Sequence, residues 1–260
     1  MFIKQSLIKN KLKAVSQIVF NRIENNGNAD FKTNGEKVFI DNLMNAFSQD
    51  KKKRIVFDIG ANIGEYAQMI LDKFVKFELD LHLFEPTKGC FDIVSSKFLE
   101  YPNVALNNFG ASNKNVKAKI YYDKEQSGLA SLYQRNLDSY NIELNQNEEV
   151  FLKRLDSYIE EKCIKHIDFI KIDIEGHELK AFEGMGTYLN GDFVDYIQFE
   201  YGGANLDLHT SLMEIYNFLN DRGFKIAKMM PNGLELRYNP YMDNFNYANY
   251  VAISSRILEL

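Results

Sequence analysis

Two acids stand where a chain could hold a cation or a ribose. Asp58 ends the apolar run "RIVFD", Glu85 ends "LDLHLFE", and the turn Gly60-Ala61-Asn62-Ile63-Gly64 lies between them. Gly60 and Gly64 have no Cβ, so they permit a tight turn and let a ligand approach the backbone. An acid about twenty residues beyond such a turn, at the end of the next strand, can accept hydrogen bonds from both hydroxyls of a ribose. An adenosine-containing cofactor is therefore expected at Asp58, Gly60, Asn62, Gly64, Glu85 and Pro86. Charge decides which one. Dinucleotide sites carry G-x-G-x-x-G and aim a helix N-terminus at a pyrophosphate. Here Asn62 replaces the middle glycine, and Asp58 would repel a pyrophosphate but suit the ammonium and sulfonium of S-adenosylmethionine. The plainer alternative is a glycine turn that serves strand-to-helix geometry alone.

A second set of acids closes two later apolar runs. Asp173 ends "IDFIKID" and leads into Ile174-Glu175-Gly176-His177-Glu178, while Glu200 ends "YIQFE" before Tyr201-Gly202-Gly203. Both acids should converge on the cofactor edge of a sheet, and burying them side by side needs compensation. The cationic cofactor, acceptor hydroxyls or a bound Mg²⁺ could each supply it, since oxygen-only ligands suit that hard ion. His177 is the expected general base, because its ordinary pKa lies near operating pH. Each also has a structural reading: Asp173 as a helix cap, Glu175 and Glu178 as acids at a helix N-terminus, His177 as a first-turn residue.

These positions need a sheet to bring them together. From residue 54 the sequence alternates short apolar runs with helical patterns: "RIVFD", a helix over 64–75, "LDLHLFE", a helix over 88–99, "NVALNN". The rhythm resumes with "HIDFIKID", a helix over 177–189, "FVDYIQFE" and a helix over 208–222. Such βαβ repetition predicts a parallel sheet with helices on both faces. "VKAKIYYD" and "EVFLKRL" predict strands flanking the loop "KEQSGLASLYQRN", and "GFKIAKMM", "GLELRY" and "YANYVAIS" predict terminal strands. Residues 51–260 form the expected cofactor-binding domain.

Residues 1–50 form the expected helical extension. Ile3, Leu7, Ile8, Leu12, Val15, Ile18 and Val19 recur at helical spacing among Lys4, Lys9, Lys11, Lys13 and Arg22, with no acid over 2–22. Packing on the domain or on a second copy, giving a homodimer, is the first expectation; contact with an anionic membrane surface is the second. "NNGNADFKTNGE" predicts a linker.

A hydrophobic fraction of 45%, with 20 Phe and 15 Tyr, marks a globular chain. A net charge of −5 gives no global field for gripping phosphate backbones, so nucleic acid is a disfavoured partner. Cys90 and Cys163 form no C-x-x-C pair, and no apolar segment approaches membrane-spanning length. A soluble protein of the reducing cytoplasm is expected.

With "VFDIGANIGEY", "LHLFEP", "SGLASL", "FLKRLDSYI" and "IDFIKIDIEGHELKAFEGM" in that order, the chain resembles the FkbM-type family of S-adenosylmethionine-dependent methyltransferases over roughly residues 50 to 200. The resemblance implies a class I methyltransferase fold, a Rossmann-like α/β sandwich whose mostly parallel seven-stranded sheet ends in an antiparallel strand. It also implies methylation of a hydroxyl on a sugar or natural product. In that fold the ends of the fourth and fifth strands face the transferable methyl, which assigns Asp173, His177 and Glu200 to catalysis. Asn-Pro-Pro-Tyr and a Pro-Cys nucleophile are missing, so oxygen is the expected acceptor atom. The family loop that approaches the site corresponds to Ser127, Gly128 and Ser131. The acceptor is expected to be a sugar, nucleotide-linked or part of a surface glycan. A nicotinamide-dependent oxidoreductase and a non-catalytic scaffold are the rival readings. His82 reads as structural, His209 as surface, and Tyr201 and Arg135 are left open.

Overall fold

The computed structural model describes residues 7–50, 52–73, 78–236 and 246–259. Two helices, α1 (Leu7–Ile23) and α2 (Glu36–Phe47), precede the alternation β1 (Arg54–Ile59), α3 (Glu65–Lys73), β2 (Leu79–Phe84), α4 (Lys88–Phe98) and β3 (Val104–Asn107). Next come β4 (Gly110–Ala111), β5 (Val116–Tyr122), β6 (Gln146–Lys153), α5 (Leu155–Glu161), β7 (Ile167–Ile172), α6 (Glu178–Gly184) and β8 (Val194–Tyr201). The chain continues through α7 (Gly203–Asp207), α8 (Leu212–Asn220), β9 (Phe224–Met230), β10 (Gly233–Glu235), β11 (Ala248–Ser254) and α9 (Ser255–Leu258). The first residues of the expected basic helix (2–6), the end of the helix expected over 64–75 and the last residues of "GLELRY" lie outside the described residues.

The main sheet runs β10-β9-β11-β8-β7-β1-β2-β3. β1, β2, β3, β7 and β8 are parallel, and β11 inserts antiparallel between β8 and β9. Seven of these strands match the expected sheet, and β10 adds an antiparallel eighth at the edge. Strand order reverses at β1: the chain grows outward through β2 and β3, then returns to lay β7 on the other side. That reversal opens a cleft beyond the carboxyl ends of β1 and β7.

Period-2 alternation divides the core between the two faces. Val56 and Phe169 face a cluster with Phe39, Ile40, Leu43 and Met44 of α2, Ile70 of α3 and Phe98 of α4. Phe57 and Ile170 face Tyr158 of α5, Phe182 of α6 and Ile215 of α8. α2 is thus part of the sheet's core, whereas α1 has no buried residue. Two expected helices are shorter than the sequence suggests. The one over 177–189 ends as α6 at Gly184. The one over 208–222 shrinks to α8, Leu212–Asn220, with Ser211 capping it by accepting the Glu214 N–H; the short α7 lies before that range.

β4, β6 and β5 form a small second sheet. The long connection between β5 and β6 folds back, with Ser131 bridging Tyr121, and supplies one wall of the cleft.

Candidate active site

A cavity of about 600 Å³ occupies the cleft. At one end the glycine turn meets the end of β2. Glu85 is buried, and its carboxylate organises the turn: Oε2 accepts the Asn62 N–H (2.9 Å), while Oε1 accepts the Thr87 N–H (2.9 Å) and hydroxyl (2.6 Å). Burial raises its pKa, and these three bonds oppose the rise. A carboxylate offers about four acceptor positions, so Oε2 keeps one for a ligand hydroxyl. Asn62 takes a left-handed conformation (φ +48°). Its side chain ties the turn to the Ser127 carbonyl and accepts the Cys90 thiol. Gly60, Asn62, Glu85 and Pro86 all line the cavity, as do Ser127 and Gly128.

Asp58 and Gly64 do not line it. Alternation along β1 puts Asp58 on the face covered by α2 and α3, fully buried, with Lys171 Nζ 3.8 Å from its Oδ1. Its charge is thus met from inside the protein, which corrects the expectation that it touches a cationic cofactor. The glycines also serve packing. A Cβ on Gly60 would lie 2.0 Å from the Asp173 carbonyl oxygen, and one on Gly64 would lie 2.6 Å from the Phe98 ring. Both also have positive φ. Gly60 therefore allows β1 and β7 to close up at the cleft, and Gly64 seats α3 against α4.

At the other end the cavity is polar. Asp173 and Glu200 come together there around Lys171, joined by Glu36 and Tyr247, while Glu175 and His177 also line the cavity. Lys171 stands among the acids, 3.3 Å from Asp173 and donating to the Gly60 carbonyl. Burial pulls its pKa down, but the charges of Asp173, Asp58, Glu200 and Glu36 together hold it above the ordinary lysine value. Lys171 is the compensation that the sequence reading sought for Asp173 and Glu200. Glu200 accepts the Tyr247 hydroxyl; burial, then the Asp173 charge, raises its pKa well above the carboxylate range. Glu36 accepts from Asn34 and from Gln198, which in turn accepts the Tyr66 hydroxyl.

The turn after β7 is braced from below. Glu178 accepts the Ile174 and Gly176 N–H groups and the Asn205 amide. Glu175, left-handed at φ +52°, pairs with Arg135 at 2.8 Å, and Arg135 also reaches Asp207. Burial, then the charge of Asp173, pushes the Glu175 carboxyl up to about 8 against the pull of Arg135. His177 is buried with both ring nitrogens engaged: Nδ1 lies 3.0 Å from the Tyr133 hydroxyl and Nε2 lies 2.9 Å from the Ser112 hydroxyl. Burial, aided by Lys180, lowers its pKa to about 4. It links Tyr133 of the cavity wall to Ser112, the residue after β4. Ser131 donates to the Glu175 carbonyl behind that wall. His82 bonds the Tyr158 hydroxyl in the core, as a structural histidine does.

Among the described residues, ligand-like spacing for a metal occurs at His166, Asp168 and Asp195. These sit at the opposite ends of β7 and β8, where Arg54 and Arg256 already pair with the acids.

Sequence reasoning passed over Lys171, Tyr247, Glu36 and Tyr66. A lysine inside the apolar run "IDFIKID" was a visible signal, because an unpaired buried ammonium is costly. Tyr247 had none: it reaches Glu200 because antiparallel β11 starts where β8 ends, with Ala248 opposite Tyr201.

The residues fit an adenosine-bearing cation. Six lining carboxyl groups, Glu36, Glu65, Glu85, Asp173, Glu175 and Glu200, face one lining ammonium among the described residues. Glu65 opens α3, where a pyrophosphate would need a bare helix N-terminus.

The chain is similar to several known methyltransferases. Methyltransferase 1 of Beauveria bassiana (strain ARSEF 2860) is 21% identical over 215 residues, covering 76% of this chain and 82% of that protein. The solved methyltransferase FkbM of Methylobacillus flagellatus KT is 17% identical with a TM-score of 0.48; the match covers 76% of this chain and 43% of that one. This chain thus spans under half the length of that protein. The magnesium protoporphyrin IX methyltransferase of Synechocystis PCC 6803, solved with bound S-adenosylmethionine, is 12% identical with a TM-score of 0.41, covering 98% of this chain and 100% of that one. The methyltransferase FkbM domain itself matches residues 58–226. That span is well over half of the chain, which therefore belongs to the FkbM family of S-adenosylmethionine-dependent methyltransferases.

Proposed function

We propose that the protein methylates a hydroxyl group of an uncharged, polyhydroxylated small molecule, a sugar in the simplest case. One observation carries this reading: the cavity's inner end gathers Glu36, Asp173, Glu200 and Tyr247 around a single lysine. Such a lining offers hydrogen-bond partners to several hydroxyls. It offers nothing to a phosphate or carboxylate, because Lys171 is already flanked by Asp58 and Asp173. A nucleotide-linked sugar would fit with its phosphates outside this end.

When bound, S-adenosylmethionine supplies an electrophilic methyl group on its sulfonium. Glu85 would hold the ribose through the open position on Oε2, and the Gly60–Asn62 turn would carry the rest of the nucleoside. The protein's work is then to fix the acceptor oxygen and take its proton, with positioning the larger share. Asp173 is the favoured proton acceptor: it lines the cavity, is only half-buried, and lies at the end of β7 with Lys171 Nζ 3.3 Å away. His177, the base suggested by the sequence, is better suited to positioning, since both ring nitrogens hold hydroxyls.

The test is turnover with a panel of sugars and S-adenosylmethionine, read as S-adenosylhomocysteine release and a product heavier by one methylene. Asp173→Asn should lower kcat about 10²–10⁴-fold while S-adenosylhomocysteine affinity stays within about threefold. Full turnover in Asp173→Asn, with loss in His177→Gln, would return the proton to His177. Methylation of acidic acceptors in preference to neutral ones would overturn the substrate class.

A further inference from the structure

We infer that α1 docks the protein on an anionic lipid surface. Leu7–Ile23 has no buried residue. Leu7, Ile8, Leu12, Val15, Ile18, Val19 and Ile23 are between 51% and 79% exposed, so a helix with this much apolar surface stands away from the body. With about 100° between successive residues, Ile8, Leu12, Val15, Val19 and Ile23 form one continuous stripe. Cations border it on both sides: Lys11 and Arg22 along one edge, Lys9 and Lys13 along the other. The helix contains no acid.

That arrangement separates the two obvious occupants. A second copy of α1 packed on the stripe would set these cations against their own kind, whereas helices that pair stably carry opposite charges along those edges. An anionic membrane satisfies both features at once: the stripe enters the acyl boundary, and the long basic side chains reach out to the phosphates. The polarity of the whole chain agrees. α1 is uniformly basic in a chain of net charge −5, so the same field that draws α1 to a membrane turns the acidic body away from it.

Docking would also place the active site. The segment after α1 is pinned to the body by the Asn25 amide on the Met229 and Asn34 carbonyls and by the Gly27 N–H on the Tyr247 carbonyl. Six residues beyond Ile23, Ala29 already lines the cavity, followed by Phe31. The acceptor end therefore stays within a short reach of whatever surface α1 occupies.

The experiment is co-sedimentation of the full chain with vesicles of phosphatidylcholine alone and with about one third phosphatidylglycerol. Binding should be at least about tenfold stronger to the anionic vesicles and should fall in high salt. Leu12→Glu/Val15→Glu should lose it about tenfold or more, and Lys11→Glu/Lys13→Glu should lose the preference for anionic lipid. Circular dichroism and melting temperature should be unchanged in both variants, since no mutated side chain is buried. The stabilisation given by S-adenosylhomocysteine should also persist, so this proposal and the catalytic one fail separately. No binding to anionic vesicles, or binding that neither variant weakens, overturns the proposal. So does a dimer in solution that Leu12→Glu/Val15→Glu dissociates while vesicles remain unbound, because the occupant is then a second copy.

Discussion

Three side chains at the cleft have jobs that differ in kind, and substitution should separate them. Glu85 holds the turn and keeps one acceptor position open. Glu85→Gln should weaken S-adenosylhomocysteine about 10–100-fold by calorimetry, the range for a hydrogen bond to a charged group. Lys171 is the cation set against Asp58 and Asp173 among the described residues. Lys171→Met leaves Asp58 buried without its partner, and urea unfolding should show a loss of about 3–5 kcal/mol at pH 8. The loss should shrink at pH 5, because burial already raises the Asp58 pKa and the proton replaces the ammonium. His177 works while neutral. Its folded-state pKa of about 4 lies below the ordinary 6.5, so its contribution to stability is fully present above pH 6.5 and is lost as the pH falls toward 4. His177→Asn should therefore flatten the decline in stability over that window. An unchanged slope would mean that the imidazole is not kept neutral by burial.

At the level of elements, α1 and α2 are opposites despite their adjacency. α2 seals one face of the sheet, with Phe39 edge-on to Phe169 and Tyr196. Phe39→Ala should cost about 3–5 kcal/mol by urea denaturation, since the space it leaves is enclosed by the sheet. A chain that begins at Glu24 should melt within about 2 °C of the full chain, because surface removal away from buried features rarely moves stability by more than about 0.5 kcal/mol. A large fall in melting temperature would show that α1 packs on the body.

For the molecule as a whole, the cleft at the strand-order reversal selects its ligand by charge. S-adenosylmethionine at a hundredfold excess over Kd should stabilise the fold by about 2.7 kcal/mol, visible as a rise in Tm, and NAD should not. Stabilisation by NAD alone would contradict the acid-rich lining described above.

Much of this was legible before any coordinates. The strands were readable because a buried parallel sheet needs uninterrupted apolar runs, and the turn was readable because Gly60 and Gly64 adopt positive φ that other residues resist. Asp173 and Glu200 were singled out because each stands at the end of an apolar strand that must face the cleft, and His177 because it lies in the turn that follows Asp173. What the sequence could not convey was direction and neighbourhood. Asp58 and Glu85 look alike in sequence, each closing a strand; alternation buried one beside Lys171 and left the other on the cavity wall. Tyr247 and Glu36 reach the site from far along the chain, through an antiparallel insertion and a helix packed across the sheet. Local sequence determined the elements and the residues at their ends, because backbone geometry and burial period act over a few positions. The tertiary structure alone decided which charges meet, because that depends on distances between strands that the order of residues does not encode.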